Sequence, residues 1–249
     1  MTDTIREAAS GDADKTLTGK TILVTGGAGF IGGHLVNSLA GDTDVRVLDD
    51  LSTGSRERVA DAATLIEGDV RSESAVERAM DGVDIVFHLA AVVNVARSVE
   101  EPVQSHSVNV DGTLNVLEAA RQSRARVVLA SSAAIYGAPD SVPISEDEPA
   151  TPESPYGLEK STVDRYAEMY HELYDVPTVR VRPFNVYGPG QTGGAYSGVI
   201  SIFMEQARAG DPITVNGDGT QTRDFTHVSD VVRAIELAAD HELHGIYNV

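Results

Sequence analysis

Tyr156 and Lys160 stand four residues apart in "SPYGLEKST" (154–162). On a helix that spacing puts both side chains on one face. A tyrosine hydroxyl titrates near ~10, so it serves as a base at neutral pH only beside positive charge. An ammonium one turn away supplies that charge, and arginine's planar fork would not replace it. The lysine is conspicuous, because of 19 Lys+Arg only Lys15, Lys20 and Lys160 are lysines. Ser132, in "LASSAAIYG" (129–137), closes an apolar run and can donate to a substrate oxygen and orient Tyr156. Ser131 falls on the other side of the pleat. The competing reading is a helix-surface tyrosine with an unrelated lysine.

A second constellation lies near the start. "VTGGAGFIG" (24–32) sets Gly26, Gly29 and Gly32 in the spacing GxxGxxG, with Phe30 and Ile31 opening a helical pattern. It directly follows the apolar run "TILVTG" (21–26). A strand, a tight glycine turn and a helix N-terminus let backbone approach a dinucleotide pyrophosphate. Asp49 ends the next strand, 23 residues after Gly26, with Asp50 beside it. A carboxylate there accepts both adenosine ribose hydroxyls and repels a 2′-phosphate, which favours NAD over NADP. Asp69 and Val70, in "GDV" (68–70), fit beside the adenine, and Asp69 equally suits a turn. Lys160 can then also bind the nicotinamide ribose.

The elements that must position these residues alternate. "TILVTG", "DVRVLDD" (44–50), "TLIEGDV" (64–70), "DIVFHLAA" (84–91) and "RVVLASS" (126–132) read as strands. Helical patterns cover 30–41, 72–81, 103–122 and 156–174. This predicts an α/β fold, a Rossmann-type doubly wound parallel sheet whose buried strands are continuous apolar runs. Beyond a Pro- and acid-rich loop (138–155) the pattern predicts a strand over 177–188 and a glycine-rich loop over 188–198. It continues with a helix over 199–209, a hairpin over 211–225 and a helix over 228–240. Residues 1–18 read as a flexible lead, 19–185 as the NAD-binding domain, to which a strand and the helix 228–240 return, and 186–249 as a smaller substrate-binding lobe.

Asp+Glu number 38 and the formal net charge is −19, a field that repels nucleic acid and anionic membranes. Carboxylate excess with lysine depletion favours adaptation to a high-salt cytoplasm over an ordinary solvated surface. The chain carries no cysteine, hence no disulfide or thiolate chemistry. No apolar run is long enough to span a bilayer and the lead lacks a signal core, so a cytoplasmic location and no membrane partner are expected.

Together these stretches resemble the extended short-chain dehydrogenase/reductase superfamily, and within it the sugar-nucleotide epimerase/dehydratase family of the UDP-glucose 4-epimerase type. The resemblance is carried by "TGGAGFIG", "LDDLSTG", "GDV", "HLAA", "NVDGTLNVLEAA", "SSAAIYG", "PYGLEK", "RPFNVYGPGQ" and "RDFTHVSDVV". It implies Tyr156, Lys160 and Ser132 as catalytic residues and NAD as the cofactor, with no metal. It implies Leu89, Ala90 and Ala91 along the cofactor path and Asn109 supporting the cofactor or the active-site backbone. Asn185 and Arg223 would meet the diphosphate of a UDP-sugar, although an arginine there equally reads as a solvated charge or a partner of Asp224. Dehydratases of this type carry an Asp-Glu pair after the active-site Ser/Thr; here Ala133 and Ala134 follow. Water loss lacks its second acid/base, so the resemblance implies C4 epimerisation, in which hydride leaves C4 for NAD and returns to the other face.

Alternatives are another sugar-nucleotide epimerase or reductase, acting for example on UDP-glucuronate or UDP-N-acetylglucosamine, and a non-catalytic dinucleotide-binding protein. Family members normally continue several dozen residues past "YNV", so the lobe is expected to be incomplete at Val249. The resemblance also implies a homodimer through helices 103–122 and 156–174. Leu114, Val116, Leu117, Ala120, Val163, Tyr166, Met169 and Tyr170 would supply apolar surface, unless they pack on the sheet.

Overall fold

The computed structural model describes residues 17–139, 141–191, 198–241 and 243–249. β1 (Thr21–Thr25), β2 (Asp44–Asp49), β3 (Thr64–Glu67), β4 (Ile85–His88), β5 (Arg126–Ala130), β6 (Thr178–Arg182) and β9 (Gly245–Asn248) form one sheet in the order β3-β2-β1-β4-β5-β6-β9. Every pairing is parallel, with registers such as Ile22 to Val45 on one side and Ile22 to Ile85 on the other. The inner strands β1, β4, β5 and β6 are largely buried on both faces, as a parallel sheet requires, whereas the edge strands β3 and β9 are only partly covered. The order reverses between β1 and β4, so the crevice at their carboxyl ends is the place where such sheets bind ligands.

Helices cover both faces. α1 (Phe30–Leu39) and α8 (Val228–Asp240) pack Leu35, Val36, Val231 and Ile235 against Ile22, Val24, Phe87, Val128 and Val181. On the other face α2 (Glu73–Met80), α5 (Gly112–Ser123) and α6 (Pro155–Tyr174) pack Val76, Val116, Leu117 and Tyr170 against Leu23, Leu48, Val86 and Val127. Shorter helices α3 (Val95–Glu100) and α4 (Pro102–His106) lead into a π turn, Ser107–Asp111, before α5. α6 starts where Ser154 accepts a hydrogen bond from the Gly157 N–H, with Pro155 at the first position.

Several expected elements differ. The helix over 103–122 is α4, the π turn and α5 in series. The strand over 177–188 ends at Arg182, because Pro183 has no N–H and Asn185 turns to φ +39°. Val186–Tyr187 (β7) pairs instead with Thr226–His227 (β8), while α7 (Val199–Ala209) lies between them in the chain. No hairpin forms over 211–225: the segment is exposed and carries only turns around Gly217 and Gly219. Its apolar residues, such as Ile213 and Val215, have no sheet face to pack on. The lead up to residue 16 and the glycine-rich loop at 192–197 lie outside the described residues. Of the apolar residues expected at a dimer contact, Val116, Leu117, Ala120, Val163 and Tyr170 are consumed by the chain's own core. Leu114 and Tyr166 also pack against that core.

Candidate active site

The glycine turn sits at the carboxyl end of β1, against the end of β4. Gly26 has φ +71°, and a Cβ on it would lie 2.7 Å from the Ala90 nitrogen. A Cβ on Gly32 would lie 2.2 Å from the Gly26 oxygen. Both positions therefore admit only glycine. Gly29 caps α1 with its backbone alone, and the first turn holds no acid, leaving the helix N-terminus, with Phe30 and Ile31, open to an anion.

Asp49 is buried at the end of β2. Its Oδ2 accepts from the Ala28 N–H at 2.9 Å and its Oδ1 from the Leu51 N–H at 2.9 Å. The carboxylate thus locks the glycine turn to the next strand and retains acceptor capacity for hydroxyls. Asp50 is exposed and caps Ser52. Asp69 accepts from the Arg71 N–H at 2.8 Å and pairs with the Arg71 guanidinium, which holds its carboxyl below the usual range. Val70 is buried beside it.

Behind this wall runs a hydrogen-bond chain that determines its own protons. Thr113 Oγ1 donates to the Asn109 carbonyl at 2.6 Å, so it accepts from His88 Nε2 at 2.9 Å. His88 Nδ1 then accepts from Thr25 Oγ1 at 2.7 Å, and Thr25 accepts from the Ala90 N–H at 3.3 Å. Burial, and secondarily the Lys160 charge, push His88 down to about 3, in keeping with this neutral tautomer. Leu89 is pinned through its N–H to the Thr25 carbonyl. The Asn109 side chain bonds both the N–H and the C=O of Val92. Neither His88 nor its threonine partners was singled out from sequence, although His88 sits inside "HLAA".

Tyr156 and Lys160, one turn apart on α6, are both buried and adjacent. Tyr156 is 7% exposed, and its backbone N–H reaches the buried Ser98 hydroxyl at 3.1 Å. Its phenol is raised by burial first; a hydrogen bond with Ser132 opposes the rise and Glu159 adds to it. Ser132 also caps the short helix after β5 by accepting from the Ala134 N–H. The lysine nitrogen lies 6.0 Å from the Tyr156 ring centre and donates to the Ala130 carbonyl at 2.8 Å. Burial pushes Lys160 down to about 8, against the pull of Asp164 and Glu159. Ser131 is buried and its hydroxyl has no partner among the described residues.

The two residues expected at a diphosphate are both exposed. Asn185 is exposed and donates to the Asp224 carbonyl at 2.7 Å, which places it beside the segment carrying Arg223. Arg223 is exposed and donates to the Thr222 carbonyl.

The donor set fits NAD: a cradle that any Cβ would fill, an uncapped helix terminus, and a buried carboxylate at the end of β2, separated by β1 and β4 from the β5 end that Lys160 bonds. Among the described residues no group of three side chains could hold a metal ion, and no helix is long and apolar enough to cross a membrane.

Comparison with known proteins agrees. A protein of Methanocaldococcus jannaschii named putative UDP-glucose 4-epimerase is 42% identical over 221 residues, covering 87% of this chain and 72% of that one. A UDP-N-acetylglucosamine 4-epimerase from Methanobrevibacter ruminantium, solved with UDP-N-acetylmuramic acid, superposes with a TM-score of 0.90 at 35% identity, covering 93% of this chain and 76% of that one. The UDP-glucose 4-epimerase of Thermus thermophilus, solved with NAD, gives 0.85 at 41%, with coverages of 92% and 77%. The model of the NAD dependent epimerase/dehydratase family matches residues 22–249. The chain is a member of the NAD dependent epimerase/dehydratase family.

Proposed function

We propose that this chain epimerises a nucleotide sugar of the UDP-glucose/UDP-galactose type at C4. The observation that carries the reading is the buried Tyr156–Lys160 pair beside a half-buried Ser132, with Ala133 and Ala134, not carboxylates, following the serine. What NAD supplies when bound is reversible hydride acceptance at C4. Tyr156 takes the C4 hydroxyl proton and gives it back after the sugar turns over. Ser132 orients the phenol and donates to the same oxygen. Lys160 offers its ammonium to the ribose hydroxyls and to the phenolate. Gly26, Gly29, Phe30 and Ile31 hold the pyrophosphate, and Asp49 holds the adenosine ribose. Asp69 and Val70 flank the adenine, Leu89, Ala90 and Ala91 line the cofactor path, and Asn185 and Arg223 hold the sugar diphosphate.

In this reading 19–185 form the cofactor domain, to which α8 returns, and 186–249 the sugar side. Likeness to the Methanobrevibacter protein supports an N-acetylated sugar as the second reading. A homodimer through the helices around α4 and α6 is supported by exposed apolar side chains there, with Val103 84% and Leu158 59% exposed. A salt-rich cytoplasm is supported by the net charge of −19, and by the burial of Lys160 rather than its display on the surface.

The test is NMR of UDP-galactose with the protein in molar KCl and no added cofactor. Appearance of UDP-glucose supports the reading, and conversion only of UDP-N-acetylgalactosamine supports the second. Conversion of neither overturns both.

A further inference from the structure

Glu159 precedes the catalytic lysine and is only 4% exposed, unlike an ordinary helix glutamate. Its Oε2 accepts from Ser105 Oγ at 2.7 Å and from Asn109 Nδ2 at 2.6 Å. Ser105 and Asn109 are themselves 1% and 2% exposed. Asn109 lies in the π turn, a local widening that often marks functional sites. Its amide grips Val92 twice: Oδ1 accepts from the Val92 N–H at 2.8 Å and Nδ2 donates to the Val92 carbonyl at 3.0 Å.

An amide can flip, and here a flip would be costly. It would aim Oδ1 at the Val92 carbonyl and at the carboxylate oxygen, both acceptors, and Nδ2 at a backbone donor. Glu159 therefore selects the one orientation in which Asn109 clamps Val92. The same segment is held at Ala90 by the chain through Thr25, His88 and Thr113, which ends on the Asn109 carbonyl. An apolar residue at 159 would leave the Ser105 and Asn109 donors short of an acceptor.

We propose that Glu159 is a positioning residue, which by aiming Asn109 at Val92 fixes the 89–94 segment against the face bearing Tyr156 and Lys160. The proposal rests on that pair being the catalytic pair. It assigns Glu159 no proton transfer and no contact with substrate.

The experiment compares wild type with E159Q, E159L, N109D and the double variant N109D/E159Q in molar KCl. Two quantities are read: kcat and KM for the sugar nucleotide that wild type turns over, and deuterium exchange of the peptide spanning 89–94. E159L is expected to lower kcat about 100-fold with KM little changed, because misplacement near reacting groups carries that scale of loss. Exchange in 89–94 is expected to rise with it. E159Q keeps an acceptor oxygen and should lose less than about tenfold.

N109D sets two carboxylates face to face, so its loss should shrink as pH falls and the pair takes up a proton. In N109D/E159Q the glutamine amide donates to the new carboxylate and should recover at least about tenfold over N109D. Should E159L not fold, the near-isosteric N109D pair carries the test. Unchanged exchange in 89–94 in every variant, or a double variant no better than N109D, overturns the proposal. If wild type turns over no sugar, the functional reading fails separately, and the exchange data still decide the clamp.

Discussion

Lys160 on α6 donates to the carbonyl of Ala130, the last residue of β5, at 2.8 Å. The contact ties the helix bearing Tyr156 and Lys160 to the strand end that leads into Ser131 and Ser132. It also stores the ammonium in a buried place, where burial lowers it to about 8 and Asp164 and Glu159 hold it from falling further. Below that pH the nitrogen is charged and can serve ribose hydroxyls and a phenolate. As pH rises through about 8 the charge is lost, and turnover should fall on the alkaline side while the fold persists. Initial rates between about pH 6 and about pH 10 check this, and K160M should be low throughout, by roughly 10²–10⁴. A flat alkaline limb in wild type would remove the ammonium from the mechanism.

Tyr156→Phe keeps the backbone bond to Ser98 and the ring's packing but removes the hydroxyl that meets Ser132. Turnover should drop by roughly 10²–10⁴, the usual scale for a proton-transfer group. NAD carried through purification should stay at the wild-type ratio, since the glycine turn and Asp49 are untouched. Unchanged turnover would take Tyr156 out of the reaction.

Much of this was legible in sequence, for identifiable reasons. Strands buried on both faces must be apolar throughout, so the runs at 21–26, 84–91 and 126–132 stood out. A glycine turn between strand and helix, with Asp49 at the next strand end, has few other uses. What stayed hidden depends on contacts between distant residues. Glu159 looks like one more surface acid in an acidic chain until Asn109 and Ser105, some 50 positions away, are folded onto it. The π turn has no local signature. The expected hairpin over 211–225 rested on turn residues, but a strand also needs a sheet face, and that segment has none. The apolar helix residues expected at a dimer contact read the same whether they face a partner or the chain's own sheet.

His88 gives a stability prediction with a definite sign. Its folded value of about 3 lies below the unfolded value of 6.5, so the unfolded chain binds the extra proton between the two. The contribution is intact above pH 6.5 and is lost as pH falls toward 3, at about 1.4 kcal/mol per pH unit. Urea unfolding at about pH 7 and about pH 5 should show that loss, and H88Q should lack this part of it. An identical pH slope in H88Q would mean that His88 is not the titrating group.

Gly32→Ala tests the cradle without touching a polar group. The added methyl would lie 2.2 Å from the Gly26 carbonyl oxygen and 2.8 Å from the Gly27 Cα, both backbone atoms that cannot rotate away. The turn must open, so NAD should be lost on purification and its affinity should weaken by at least about tenfold, the scale of one to two kcal/mol of backbone strain. Gly41→Ala is the control: no atom stands within 4 Å of a Cβ there, although φ +113° gives it strain of its own. NAD retention should survive in the control even if stability falls. Equal NAD loss in both variants would show general destabilisation rather than a blocked cradle.

The net charge of −19 predicts how the protein answers salt. Repulsion among surface carboxylates reaches about 10 Å at 0.1 M salt and only about 3 Å at 1 M. The thermal midpoint should therefore climb steeply as KCl is raised through that range. Sucrose, which strengthens burial by exclusion but screens nothing, separates the two causes. If KCl acts by screening, most of its gain should come below about 1 M and sucrose at the same osmolality should give much less. Equal gains from KCl and sucrose would place the effect in the exclusion of cosolvent, and the surface acids would then be ordinary solvated carboxylates.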